Sequence, residues 1–177
     1  MKAVFLDRDG VINRAILING KPYPPNEISD LEIIPGVSEA IERILKNGML
    51  PVVVTNQPDI SRGVTSLDFV NHIHNKIKQE TGLAHFYICV HDDFDLCNCR
   101  KPKPGLIFEA SRNLNLNVQS SYMVGDRWRD VAAGNAAGCT SFFIDYGYDE
   151  LQPEPPFINV ESLVEAVQRI LEIESAQ

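Results

Sequence analysis

Short apolar runs alternate with amphipathic stretches along the whole chain. The runs predict strands near 3–6, 50–54, 86–90, 121–124 and 140–144. Helical spacing predicts helices near 36–47, 66–81, 105–115 and 128–137. A last helix is expected near 161–173, where Leu163, Val164, Val167, Ile170 and Leu171 recur on one face. Strands that are apolar throughout, separated by helices, indicate βαβ units and a sheet buried on both faces. The fold class expected is therefore α/β, with a doubly wound, mainly parallel sheet. Gly48, Gly82 and Gly138 stand where helix-ending glycines belong, Thr65 with Asp68 suits a capping box, and Pro104 suits a first helical position. Two proline-rich stretches escape the alternation, Asn13 to Leu31 and Tyr148 to Phe157, and both read as loops. The first leaves the first strand at the carboxyl edge of the sheet, where ligands bind in open α/β folds, so it is expected to wall the substrate.

A length of 177 residues suits one domain. With no repeat, long linker or connection roomy enough for a lid, a single domain over 1–177 without a separate cap domain is expected. Sixteen Lys and Arg against twenty-four Asp and Glu give a net charge of -8, which argues against a nucleic-acid or anionic-membrane partner. Any phosphorylated ligand must then meet a local group of cations. The N-terminus offers too short an apolar run for a signal peptide and no stretch approaches the ~18 residues of a membrane span, so a cytoplasmic location is the expectation. A monomer is expected as well.

Four places carry candidate chemistry, each at the end of an expected strand or the start of a helix. Asp7-Arg8-Asp9-Gly10 puts two carboxylates two residues apart where the chain leaves the first strand, which allows one acid to act as nucleophile while the other works beside the leaving group. Thr55-Asn56-Gln57 brings a hydroxyl and two amides to the same edge, donors suited to phosphoryl oxygens. Arg100-Lys101-Pro102-Lys103 gathers cations in an acidic protein: a lysine there can offset charge on a transferring phosphoryl group, and an arginine can fork onto a second anion. Gly125-Asp126 delivers another carboxylate, followed by Arg127 and Asp130, and an acid at that place suits Mg²⁺.

Cys89-x-His91 and Cys97-x-Cys99 form a separate group. Three thiols and an imidazole within eleven residues are the donor set of a closed Zn²⁺ site, structural because no position is left for water. It would clamp the loop that leads into Arg100 and Lys101. His72, His74 and His85 have no such companions, and Cys139 reads as a small core residue.

Asp7-x-Asp9-Gly10, Thr55-Asn56-Gln57, Lys101 and Gly125-Asp126 resemble, in order, the four motifs of the haloacid dehalogenase-like phosphohydrolases. More narrowly, Phe5 to Asn13, Cys97-x-Cys99-Arg100-Lys101-Pro102 and Met123 to Asp126 are similar to the D,D-heptose 1,7-bisphosphate phosphatases and the related histidinol-phosphate phosphatases. The resemblance spans about residues 3 to 145. It implies a Rossmann-like core and a Mg²⁺-dependent phosphatase in which Asp7 forms an aspartyl-phosphate and Asp9 protonates the leaving alcohol. It implies that Thr55 and Lys101 bind the phosphoryl oxygens, and that Asp7, the Asp9 carbonyl and Asp126 hold Mg²⁺. Asn56, Gln57, Arg100 and Arg127 would then meet a small phosphorylated sugar, with Arg100 and Arg127 reading a second phosphate. The family's four-ligand loop supports Zn²⁺ on Cys89, His91, Cys97 and Cys99. Pro58-Asp59 replaces the usual Ser-Gly, and the loop from Arg14 to Asp30 is longer than usual.

A heptose 1,7-bisphosphate cleaved at its 7-phosphate is the leading substrate expectation, with histidinol phosphate the alternative. A receiver-type signalling domain also sets Asp, Thr and Lys at a sheet edge. Asp9 argues against it, because acid-base help would shorten the life of the phosphorylated state a switch must keep. A zinc-stabilised binding scaffold would leave the coincidence of four catalytic motifs unexplained.

Overall fold

The computed structural model describes residues 1–176. Its strands are β1 (Ala3–Leu6), β2 (Ile16–Ile18), β3 (Lys21–Tyr23), β4 (Leu50–Asn56), β5 (His85–Cys89), β6 (Tyr122–Gly125), β7 (Thr140–Ile144) and β8 (Ile158–Val160). Its α-helices are α1 (Val37–Lys46), α2 (Leu67–Thr81), α3 (Gly105–Leu114), α4 (Trp128–Ala137) and α5 (Leu163–Ser175). Six strands make one parallel sheet in the order β5-β4-β1-β6-β7-β8, so the winding direction reverses at β1. That reversal opens a crevice beyond the carboxyl ends of β1 and β6, the usual place for a ligand.

The sheet is buried because its strands have no polar face. Along β1, Val4 and Leu6 pack with residues of α1, α2 and α5, while Ala3 and Phe5 pack with residues of α3 and α4. All four are fully buried, which is why the run is continuously apolar. Register then decides what emerges at the edge. Leu6 lies opposite Val53 on β4 and Val124 on β6, and the Asp7 N–H donates to Val124 O at 3.0 Å. Asp7, one residue past Leu6, therefore emerges at the same edge as Thr55 and Asp126, each two residues past the register partner of Leu6 on its strand.

The core strands and all five α-helices fall where the apolar pattern predicts them, within a few residues. The structure departs from the sequence expectations at four places. The Asn13 to Leu31 stretch is not simply a loop: β2 and β3 pair antiparallel, Ile16 opposite Tyr23. β8 extends the sheet beside β7 and was not foreseen from three residues. α2 is capped by Ser66, whose hydroxyl accepts the Phe69 N–H at 3.1 Å, rather than by Thr65. Pro104 stands at the N-cap of α3, one position earlier than expected. Among the described residues no separate cap domain is present, and no helix is long and apolar enough to cross a membrane.

Candidate active site

The turn after β1 is tied by its own backbone. Arg8 O accepts the N–H groups of Val11, Ile12 and Asn13 at 3.3, 2.8 and 3.2 Å, and Gly10 N–H donates to Asn13 O at 2.7 Å. Gly10 adopts φ 93°, and a Cβ there would lie 1.9 Å from Asp126 Oδ2. Glycine is thus required both by backbone conformation and by the close approach of the turn to a carboxylate.

Lys101 is the cation at the centre. Its Nζ donates to Asp7 Oδ1 at 2.7 Å and Val54 O at 2.8 Å, and lies 2.6 Å from Asp130 Oδ1. Asn56 holds the backbone behind it: Asn56 Nδ2 donates to Lys101 O and the Lys101 N–H donates to Asn56 Oδ1, both at 3.0 Å. Burial by itself would lower the Lys101 pKa, yet the carboxylates of Asp130 and Asp7 hold it well above the ordinary range.

Three carboxylates, Asp7, Asp126 and Asp130, lie with oxygens within 4.8 Å of one another, all buried, and two of them, Asp7 and Asp130, pair with this one ammonium. Burial pushes Asp7 up to about 6; Asp130 and Asp9 add to the rise and Lys101 opposes it. Burial also raises Asp126 well above the carboxylate range, helped by Asp7 and Asp130, although the Tyr148 hydroxyl donates to its Oδ2 at 2.7 Å. Asp126 Oδ1 is buried with no hydrogen-bond partner among the described residues. An excess of buried negative charge and an unpartnered acceptor fit a hard divalent cation such as Mg²⁺, which takes one or two carboxylates and keeps waters and phosphate oxygens for the rest.

Asp9 is held rather than free. Its oxygens accept from Arg8 Nη2 at 2.9 Å each and from Arg8 Nε at 3.1 Å. Asn13 Nδ2 adds a donor at 3.0 Å and Gln57 Nε2 another at 2.9 Å. Gln57 Nε2 also donates to Thr55 Oγ1 at 2.9 Å. Asp7, Asp9, Asn56, Arg100, Lys101, Arg127 and Asp130 line a cleft of about 260 Å³. Thr55, Gln57 and Asp126 are buried and do not line it.

The outer wall is richer in cations than the motifs indicated. Lys21, Arg62 and Arg129 join Arg100 and Arg127 around the cleft. Arg100 Nε donates to Asp93 Oδ1 at 2.7 Å, a half-exposed carboxylate it shares with Arg129. Arg127 is more firmly engaged, its Nε reaching both Glu150 oxygens at 3.1 and 2.9 Å while Nη2 pairs with Oε2. Trp128, half-buried, carries the Arg129 guanidinium over its ring at 4.8 Å. Asp130 was legible only as one more acid one helical turn beyond Asp126. Tyr148 and Glu150 sit in a stretch read as a connector and gave no signal.

The second cluster lies just before Lys101. Cys89 Sγ is 3.7 Å from Cys97 Sγ, 3.2 Å from Cys99 Sγ and 3.6 Å from His91 Nδ1, which is 3.3 Å from Cys99 Sγ. No cysteine is in a disulfide. A tetrahedral Zn²⁺ with Zn–S near 2.3 Å has donor–donor edges of about 3.5 to 3.8 Å, close to this spacing. Cys97 Sγ also accepts the Arg100 N–H at 3.4 Å, which links the cluster to the cleft wall.

Comparison with known proteins gives consistent results. Residues 98–166 match the HAD-hydrolase-like family model. The chain is 36% identical over 149 residues to the D-glycero-beta-D-manno-heptose-1,7-bisphosphate 7-phosphatase of Haemophilus ducreyi, covering 77% of this chain and 79% of that protein. It is 37% identical over 147 residues to the protein of the same description from Escherichia coli K12, covering 76% and 74%. The crystal structure of D,D-heptose 1,7-bisphosphate phosphatase from B. bronchiseptica, complexed with magnesium and phosphate, superposes with a TM-score of 0.80 at 26% identity, over 98% of this chain and 99% of that one.

Proposed function

Since this chain belongs to the D-glycero-beta-D-manno-heptose-1,7-bisphosphate 7-phosphatase family of haloacid dehalogenase-like hydrolases, we propose that it removes the 7-phosphate from a heptose 1,7-bisphosphate, with Asp7 as nucleophile. The observation that carries this is the trio of buried carboxylates, two of them paired with one ammonium, at the switch point of the sheet. A phosphate monoester approaching Asp7 meets Lys101, which offsets the repulsion between anionic nucleophile and anionic phosphoryl group.

An Asp7 oxygen attacks phosphorus, an acyl-phosphate bond forms, and the bond from phosphorus to the sugar oxygen breaks. Asp9, lining the cleft, gives its proton to the departing oxygen. Asp9 then takes a proton from water as that water attacks phosphorus. Inorganic phosphate leaves and the Asp7 carboxylate is restored. Asp7, the Asp9 carbonyl and Asp126 would hold Mg²⁺, which supplies charge neutralisation for the phosphoryl oxygens. Asn56 and Gln57 act here mainly as supports, one behind Lys101 and the other between Thr55 and Asp9. Arg100 is the cleft arginine best able to exchange its partner for a second phosphate, with Lys21 and Arg129 beside it. Zn²⁺ on Cys89, His91, Cys97 and Cys99 would stiffen the loop that carries Arg100 and Lys101.

A panel of phosphorylated sugars with Mg²⁺, run with wild type and Asp7→Asn, tests this. The highest kcat/KM on a heptose 1,7-bisphosphate, and loss of turnover in the variant, are expected. A clear preference for histidinol phosphate would move the substrate; undiminished turnover by Asp7→Asn would remove the covalent mechanism.

A further inference from the structure

Arg8 lies between the two catalytic-motif aspartates in sequence, yet its side chain is 1% exposed and is not part of the cleft lining. One side of its guanidinium grips Asp9. The other, Nη1, is 3.2 Å from Nε2 of His74, a buried residue on α2 that is 66 positions distant. The His74 ring is fixed in turn by stacking on Phe86 of β5, with centroids 4.6 Å apart. A guanidinium only donates hydrogen bonds, so His74 Nε2 must be the acceptor and the ring proton sits on Nδ1. A second proton would set an imidazolium against a guanidinium in a site closed to water. Burial and Arg8 accordingly push the His74 pKa down to about 3.

We propose that His74 is a positioning residue for phosphoryl transfer: as a neutral acceptor it sets the plane of the Arg8 guanidinium, which in turn aims the Asp9 carboxyl at the departing sugar oxygen. This rests on the role given above to Asp9. Arg8 supplies donors to both Asp9 oxygens, so rotation of the guanidinium turns the carboxyl with it. Asn13 and Gln57 each reach only one oxygen. On its other side the guanidinium meets His74.

A positioning role through the general acid has a signature that a structural role lacks. A sugar oxygen leaves as a poor alkoxide and needs the proton, whereas a nitrophenolate leaves with little help. The comparison is therefore kcat/KM on a sugar phosphate and on p-nitrophenyl phosphate, since this ratio reports steps up to transfer onto Asp7. His74→Leu removes the acceptor and should lose more than about 10-fold on the sugar phosphate and under about 3-fold on the aryl ester, against the roughly 10²- to 10⁴-fold worth of a general acid. His74→Gln returns an acceptor near the position of Nε2 and should recover most of the loss.

Equal losses on the two esters, or no difference between the Leu and Gln variants, overturn the inference. Asp9→Asn is the control. If it too loses equally on both esters, the acid role of Asp9 falls and takes the inference with it. If it loses selectively while His74→Leu does not, only the inference falls. Should His74→Leu not fold, the imidazole nitrogen resonances of the wild-type protein decide: a bare Nε2 at neutral pH is required, and a protonated one overturns the proposal.

Discussion

Lys101 and Asp130 form a buried ion pair, Nζ to Oδ1 at 2.6 Å, in which the same carboxylate also opens α4: its Oδ2 accepts the Arg127 N–H at 3.0 Å. One side chain thus places the cation and caps the helix that follows Asp126. Gly125 is shaped by the same contact, since a Cβ there would lie 2.1 Å from Asp130 Cβ.

Asp130→Ala should accordingly harm stability and turnover together. Removing one partner of a buried pair typically costs 3 to 5 kcal/mol, and because Lys101 retains Asp7 the expected loss is about 3 kcal/mol. Urea unfolding of the metal-free protein measures it, and kcat should fall as the ammonium loses its fixed place. Unchanged unfolding with normal kcat would show that Asp7 alone suffices to hold Lys101.

Elemental analysis should find one zinc per chain, released by EDTA far more slowly than Mg²⁺, because all four ligands come from the protein. Cys97→Ser removes both one of the four proposed Zn²⁺ ligands and the acceptor of the Arg100 N–H. It should raise KM and lower Tm while leaving the Asp7, Lys101 and Asp130 contacts in place. Absence of zinc in metal-replete protein would defeat the assignment.

The two arginines first expected to read a second phosphate should now behave differently. Arg100 pairs with a half-exposed Asp93 and can exchange it for a substrate anion, whereas Arg127 is locked on Glu150 by two nitrogens. Arg100→Ala should cut kcat/KM for a sugar bisphosphate by roughly 10- to 150-fold more than for the matching monophosphate, the worth of a charge-assisted contact. Arg127→Ala should affect both substrates alike. Equal behaviour of the two variants would mean that the distal phosphate lies elsewhere on the cleft wall.

The buried His74 makes acid sensitivity measurable. In the unfolded chain it titrates near 6.5; folded, it stays neutral down to about 3. Between those values the unfolded state binds a proton that the folded state does not, so this contribution to stability is complete above pH 6.5 and falls as pH drops, by about 1.4 kcal/mol per unit. Asp7, raised from 3.8 to about 6 in the metal-free chain, has the opposite slope between those values, so wild type must be compared with His74→Gln. From pH 7 to pH 5 the wild type should lose about 2 kcal/mol relative to the variant in urea unfolding. Parallel pH profiles would show that His74 is protonated in the fold.

The sheet, its five principal strands and the edge from which Asp7, Thr55 and Asp126 emerge were written in the sequence, because a strand buried on both faces must be apolar along its whole length and must end where polar residues begin. The clustering of Cys89, His91, Cys97 and Cys99 was legible for a similar reason: its members are close in the chain, and a short loop suffices to bring them together. Hairpin β2–β3 was not legible, because Ile16–Ile18 and Lys21–Tyr23 are too short and too exposed to show alternation, and Pro22 argues against a strand. Only the tertiary structure decided that Asp130 answers Lys101, that Tyr148 and Glu150 return from a connector to Asp126 and Arg127, and that His74 stands behind Arg8. Each of these pairings crosses from one βα unit to another, and a charge or donor in the chain carries no mark of its partner. Partners are assigned by crossover connections and strand register, which set distance and exclude water, and those are properties of the assembled sheet.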